Sequence, residues 1–269
     1  MEPIVFLIDL DGTIQGNVVP QIIEYELIRK LNTIIPTNKI KYNTKKLEID
    51  FQNGLLRPHF KEALLSIKKI HPHVEFFIYT ASSDQWAHFL IPKLNRILFR
   101  KDEVINKQYF TRKHCSLTGK KSISKLIPLI KKSLQTKYPN AKYDNVYLID
   151  NNFVLENEEM NRLIYCPTYN YTVMNCPMRN FKEDHLNKYY NEISKQLFSV
   201  STKIKFELLK IYYDKAFKEY EYTERNNKQY KNDTYWKDLA KVVNSGKLNN
   251  KNNINTTIKN MKSLHKKTI

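Results

Sequence analysis

The stretch IVFLIDLDGTI, residues 4–14, sets two acids one residue apart, Asp9 and Asp11, at the end of an apolar run and follows them at once with Gly12 and Thr13. Ile4–Leu10 has strand length, and its near-continuous apolar character is that of a strand buried on both faces. A period of two puts Asp9 and Asp11 on the same side of an extended chain. Carboxylates that close repel each other unless a cation or a proton lies between them.

Two further segments repeat the pattern. VEFFIYTA (74–81) and NVYLIDNN (145–152) read as buried strands that end in polar groups. Helical segments alternate with them: 18–35, with Pro20 tolerable in its first turn, 57–70, where Phe60, Leu64 and Ile67 share a face, 84–98 and 122–137. Residues 39–56 show short β-prone pieces and an Asn53-Gly54 turn signal, so a small hairpin is expected there. Such β–α alternation predicts an α/β fold, a doubly wound and mostly parallel sheet with helices on both faces. The expected domain runs over 1–181, with an insert at about 15–56. A basic helical extension follows over 182–244, where Leu209, Tyr213 and Phe217 recur at i, i+4, i+8. The Asn- and Lys-rich remainder, 245–269, is expected to be flexible.

The 269 residues suffice to bury a core. A formal net charge of +18 points to an anionic partner: nucleic acid, phosphoprotein or an acidic membrane surface. Abundant Lys, Asn, Ile and Tyr offer another source for that charge, an AT-rich coding sequence. Three widely spaced cysteines, Cys115, Cys166 and Cys176, form neither a disulfide framework nor a zinc pattern. They favour a reducing, intracellular location, cytoplasmic or nuclear. The first residues lack the basic flank and apolar length of a signal peptide, and no apolar run is long enough to span a bilayer. No glycine-rich phosphate loop is present, with five glycines in all.

In open α/β sheets, ligands bind beyond the carboxyl ends of the strands. The three apolar strands end in Asp9 and Asp11, in Thr80 and Ser82, and in Asp150 and Asn151. An oxygen-rich site of this kind, left open for phosphate, suits Mg²⁺. Each fragment alone has a plainer reading: a turn for DxDGT, a helix cap for Thr80 and Ser82, a polar loop for DNN. Their occurrence together, in order and each after a strand, favours a site.

FLIDLDGT, FFIYTAS, a lysine and VYLIDNN, in that order, resemble the four-motif signature of the haloacid dehalogenase-like phosphohydrolases. LLRPHFKEAL, FFIYTASSDQWA and TRKHC…TGKKSISKL narrow the resemblance to the phosphatases of the RNA polymerase II C-terminal-domain type, the NLI-interacting-factor-like family, over roughly residues 4–180. The resemblance implies a Mg²⁺-dependent phosphomonoester hydrolase working through an aspartyl-phosphate. Asp9 would be the nucleophile and Asp11 the general acid and base. Thr80, Ala81 and Ser82 would hold the phosphate. Mg²⁺ would be held by Asp9, the Asp11 carbonyl, Asp150 and Asn151. The motif lysine matches best at Lys121, with Lys120 and Lys125 as alternatives.

The family usually has Glu after the second acid, where this chain has Gly12, and its extension past residue 181 finds no counterpart. The implied substrate is phosphoserine or phosphothreonine in a protein such as an RNA polymerase tail. The small insert leaves the pocket open to a protein chain, and Tyr42, Leu47, Ile49 and Phe51 would either wall a peptide groove or pack the insert. Tyr169 and Tyr171 would either line the pocket mouth or pack. Two rivals stand beside this reading: the same chemistry on a nucleotide or nucleic-acid end, with the basic C-terminal region as contact surface, and a scaffold that kept the fold and lost turnover. The intact Asp9/Asp11 pair argues against the last.

Overall fold

The computed structural model describes residues 2–34, 41–100, 102–173, 207, 227 and 229–246. They fall into two compact units. One takes the described residues of Met1–Ile14 and Arg57–Tyr169 and those from Asn232 onward; the other takes those of Gln15–Leu56 and Asn170–Lys231. The helix expected over 206–222, the tail over 245–269 (Ser245 and Gly246 apart) and Cys176 lie outside the described residues.

The first unit is built on five parallel strands: β1 (Ile4–Ile8), β2 (Val74–Tyr79), β3 (Ile105–Phe110), β4 (Val146–Asp150) and β5 (Leu163–Tyr165), in the order β3-β2-β1-β4-β5. Every residue of β1, β2 and β4 is buried, as their near-continuous apolar character predicts, with Glu75 of β2 and Asp150 of β4 the buried acids among them. The fold is thus the doubly wound α/β class expected. Two strands went unannounced. β3 (INKQYF) sits at the sheet edge with only its end residues buried, and β5 has three residues.

One sheet face, through Val5, Leu7, Phe77, Tyr79 and Leu148, packs with Ile123, Leu126, Ile130 and Leu134 in a single core. Ile130 and Leu134 belong to the helix Ile127–Leu134, shorter than the expected 122–137. It begins where Pro128 falls in the first turn, the place where a missing N–H costs nothing. The opposite face, with Phe6, Ile8, Phe76 and Ile78, is buried too. The rings of Phe6 and Phe76, paired in register, stack at 5.9 Å.

Two amphipathic helices follow the expected pattern, Phe60–Ile70 and Asp84–Phe99. The first buries Phe60, Ala63, Leu64 and Ile67 and carries Lys68 and Lys69 in its last turn, where cations suit the helix dipole. Its outer neighbour is the helix Tyr235–Asn244, which buries Trp236, Leu239, Ala240 and Val243. Phe60 and Trp236 meet edge to face at 4.8 Å, and Asn244 Nδ2 donates to Ser66 Oγ at 3.0 Å. Burying Leu239 and Val243 is worth roughly 1.5–3 kcal/mol each. This stretch, expected within a separate basic extension, therefore packs as part of the sheet-bearing unit.

In the second unit the hairpin expected over 39–56 is helical instead. Asn43 accepts hydrogen bonds from the amides of Lys45 (3.1 Å) and Lys46 (3.4 Å), capping a helix over Thr44–Asp50. It runs on into a π-helical turn, Phe51–Leu55, in which Gly54 takes φ +104°. Leu47, Phe51 and Leu55 are all buried, one turn apart, and that helical face outweighs the local β propensity. Leu47 and Phe51 thus pack the insert, while Ile49 is exposed. Val19–Ile34 forms the expected helix, whose Gln21 donates to Asp50 (3.0 Å) and to the Val173 carbonyl (3.1 Å).

Candidate active site

The strand order sets β1 between β2 and β4, so three carboxyl ends lie side by side. Asp9 leaves β1 still in the ladder, its amide donating to the Ile149 carbonyl at 2.9 Å. Lys121 comes from an irregular segment after β3. Its Nζ donates to Asp9 Oδ1, Asp150 Oδ2 and the Tyr79 carbonyl, each at 2.7 Å. All three ammonium donors are thereby used within a site 2% exposed at the lysine. The Lys121 backbone is pinned in a parallel bridge with Leu155, donating to the Val154 carbonyl (2.7 Å) and accepting from Glu156 (3.1 Å). Lys120 reaches Asn157 Oδ1 at 3.2 Å instead, and Lys125 is exposed. Of the three candidate lysines, it is Lys121 that meets Asp9.

Burial raises Asp9 to about 7; Lys121 opposes the rise, and the charges of Asp150 and Asp11 add to it. For Lys121, burial acts to lower the pKa, but the two acids overcome it and hold the ammonium above its ordinary value. The buried heart of the site is therefore charged, with two acids, Asp9 and Asp150, bonded to one ammonium.

Beside this pair lie the other residues expected from sequence. Asp11, half-buried, accepts from Ser82 Oγ. The Ser82 amide donates to Thr80 Oγ1 at 3.1 Å, so Ser82 links the β1 and β2 ends. Thr80 is buried, its amide bound to the Phe110 carbonyl at 2.9 Å. The Ala81 carbonyl accepts from Arg112 Nε at 2.9 Å. Gly12 takes φ +78°, where L side chains are strained, and a Cβ there would stand 2.7 Å from Asn151 Nδ2. Thr13 Oγ1 donates to Asn151 Oδ1 at 3.4 Å, and Asn151 Nδ2 donates to Thr168 Oγ1 at 3.2 Å. Asp150 Oδ1 takes the Asn152 amide at 2.8 Å. Tyr169 is buried and Tyr171 half-buried.

Sequence reasoning gave no role to Asp233 or Trp236. Arg57, quoted only as a helix start, is 1% exposed and pairs with Asp233 through two bonds, 3.0 and 2.7 Å. Trp236 Nε1 donates to the Thr13 carbonyl at 3.2 Å. The available signal was the apolar spacing Trp236, Leu239, Ala240, Val243.

Among the described residues, no three or more His, Cys, Asp or Glu side chains form a metal-holding cluster. The groups at the strand ends are nonetheless all oxygen donors with excess negative charge, the chemistry that fits Mg²⁺ held partly by amide and backbone oxygens.

No curated protein matches the sequence. The solved structure of Fcp1, an essential RNA polymerase II CTD phosphatase, aligns at 16% identity and a TM-score of 0.42, covering 92% of this chain and 63% of that one. Fission yeast Fcp1, as a variant bound to beryllium fluoride, aligns at 14% identity and 0.37, covering 81% and 64%. The chain thus spans less than two thirds of either. The family model of the NLI interacting factor-like phosphatases matches residues 4–198, a span that takes in all five strands of the sheet and the lysine between Asp9 and Asp150. The chain belongs to that family, whose members as phosphatases are phosphoric monoester hydrolases.

Proposed function

We propose that the chain hydrolyses phosphoserine or phosphothreonine in a protein, such as an RNA polymerase tail, through a phosphorylated Asp9. The observation that carries this is the Lys121 ammonium, 2.7 Å from both Asp9 and Asp150, with the charge of Asp11 also felt at Asp9. An oxygen of the Asp9 carboxylate attacks phosphorus while the ester P–O bond breaks. Asp11 gives its proton to the leaving alkoxide oxygen. It then takes a proton from water, whose oxygen attacks phosphorus and breaks the Asp9–phosphate bond, releasing inorganic phosphate. Lys121 offsets charge at Asp9, and Thr80, Ala81 and Ser82 would meet the phosphoryl oxygens. Mg²⁺ would be held by Asp9, the Asp11 carbonyl and Asn151, with Asp150 nearby, and would mask the repulsion between anionic nucleophile and anionic ester.

Asp9→Asn should abolish Mg²⁺-dependent turnover of an aryl phosphate, and a variant as active as the parent rejects Asp9 as nucleophile. The charge of +18 also suits a polyanionic substrate. A panel pairing a phosphorylated Ser-Pro peptide with a 3′-phosphorylated oligonucleotide decides between protein and nucleic acid. The reading places the chain inside the cell, cytoplasmic or nuclear; among the described residues no helix is long and apolar enough to cross a membrane.

A further inference from the structure

Both peptide carbonyls that follow Asp11 are held by groups from distant parts of the chain. The Gly12 carbonyl accepts the Tyr169 amide at 2.8 Å and, at the outer limit of bonding, Arg57 Nη1 at 3.5 Å. The Thr13 carbonyl accepts Trp236 Nε1 at 3.2 Å. Arg57 also donates through Nη1 to the Pro167 carbonyl (2.8 Å) and Cys166 Sγ (2.7 Å), and its own amide holds the Ile14 carbonyl at 2.8 Å. The guanidinium lies over the Tyr235 ring at 4.7 Å and the Tyr169 ring at 5.4 Å. Such a buried cation needs a counter-ion, and Asp233 supplies it with the two-pronged geometry that matches a guanidinium.

We infer that Asp233 and Trp236, both beyond the family-matched residues 4–198, are positioning residues that aim Asp11 at the leaving oxygen. The inference rests on the proposed phosphatase reading. Gly12, at φ +78°, is a pivot that would let the loop swing about Asp11. Trp236 closes one side of that pivot by its bond to Thr13, and Asp233 closes the other by keeping Arg57 seated under the Gly12 and Ile14 carbonyls. Neither side chain is assigned any contact with the ester. Their effect passes through the backbone on which Asp11 is mounted.

A positioning role for the proton donor has a signature that general loosening lacks. A leaving group that departs easily without a proton is nearly indifferent to Asp11, and a basic one is not. The full-length chain is therefore assayed on 4-nitrophenyl phosphate and on phenyl phosphate, as parent, as Trp236→Phe, and with 3-benzothienylalanine at position 236. The last keeps the indole shape, and so the packing on Phe60, and removes the N–H. Expected is a kcat/KM loss of about 5-fold on phenyl phosphate, the factor one hydrogen bond carries, with a visibly smaller kcat/KM loss on 4-nitrophenyl phosphate, because kcat/KM reports the step in which the leaving oxygen departs and not the later hydrolysis of the phosphorylated Asp9, which Asp11 also serves. Asp233→Asn should give the same inequality, and Asp233→Glu should recover part of it. Equal losses on the two esters, or none, in the folded benzothienyl variant overturn the inference. Absence of turnover by the parent overturns the functional reading, so the two failures are told apart.

Discussion

Lys121→Met tests the centre of the site on two scales. Methionine nearly matches the lysine stem in length and leaves the carboxylates of Asp9 and Asp150 in place without their cation. In the parent, both acids receive a charge-assisted bond of 2.7 Å from a lysine 2% exposed, so solvent cannot replace it. Removing one partner of a buried ion pair costs about 3–5 kcal/mol. Asp150 keeps its bond from the Asn152 amide, and Asp9 is already lifted to about 7 and takes up a proton readily. Both effects favour the lower part of that range, about 3–4 kcal/mol. At roughly 2–4 °C per kcal/mol for a chain of this size, the thermal midpoint should fall by about 6–16 °C. Loss of a preorganised positive group beside the phosphoryl oxygens should lower kcat by about 10²–10³-fold. Thermal unfolding in chelator reads the first quantity, and turnover with added Mg²⁺ reads the second. Lys125→Met, an exposed substitution, should stay within about 0.5 kcal/mol of the parent. A Lys121→Met protein that melts with the parent and keeps its rate would refute the reasoning; loss of activity in Lys125→Met alone would move the lysine role there.

Three other substitutions read the neighbouring geometry. Gly12→Ala forces a side chain into φ +78° and against Asn151, so it should cost about 1–2 kcal/mol in urea unfolding and lower kcat, since the Asn151 amide must move. Glu159→Ala removes the carboxylate that accepts the Ile123 (2.8 Å) and Ser124 (2.7 Å) amides just after Lys121. Because Glu159 is half-exposed, the loss should be about 1–2 kcal/mol, below the most a buried charged bond carries; no change in urea midpoint would show that water replaces it fully. In the second unit, burial raises the pKa of Asp50. An acid with a folded pKa above its unfolded value binds its proton more tightly when folded. Its share of stability is full below the unfolded pKa and drains away as pH rises through the folded one. Asp50→Asn should therefore match the parent near pH 3 and melt higher at pH 7, with the Gln21 bond retained. A lower midpoint at pH 7 counts against that account.

Strands β1, β2 and β4 were legible because a strand covered on both faces is apolar at nearly every position, Glu75 and the terminal Asp150 being the exceptions. β3 was hidden by its edge position: Asn106, Lys107 and Gln108 meet solvent in part, so its run carries no continuous apolar signal. The Asp9–Asp11 spacing pointed to a site, since acids so close need a cation or a proton between them, although the cation in place, Lys121, joins Asp9 to Asp150 while Asp11 accepts from Ser82. Among Lys120, Lys121 and Lys125 the resemblance favoured Lys121, but the physical cause of that choice was not legible. It depends on an isolated bridge to Leu155 that no local propensity encodes. The insert was misread because Ile, Tyr and Phe favour strands in the average, whereas here Asn43 supplies a helix start and Leu47, Phe51 and Leu55 a buried helical face. Asp233 and Trp236 escaped notice because their partners lie 176 and 223 positions away along the chain.

The partnership of Arg57 with Asp233 also bears on biosynthesis. A ribosome delivers the guanidinium long before the acid that neutralises it, and four of the five strands emerge in the interval. Until the later stretch leaves the exit tunnel, a nascent domain holds an uncompensated cation next to its thiol, Cys166, and a bare apolar stripe on the helix that Trp236 will cover. A product truncated before residue 233 would lack both the counter-ion of Arg57 and the aromatic cover of Phe60.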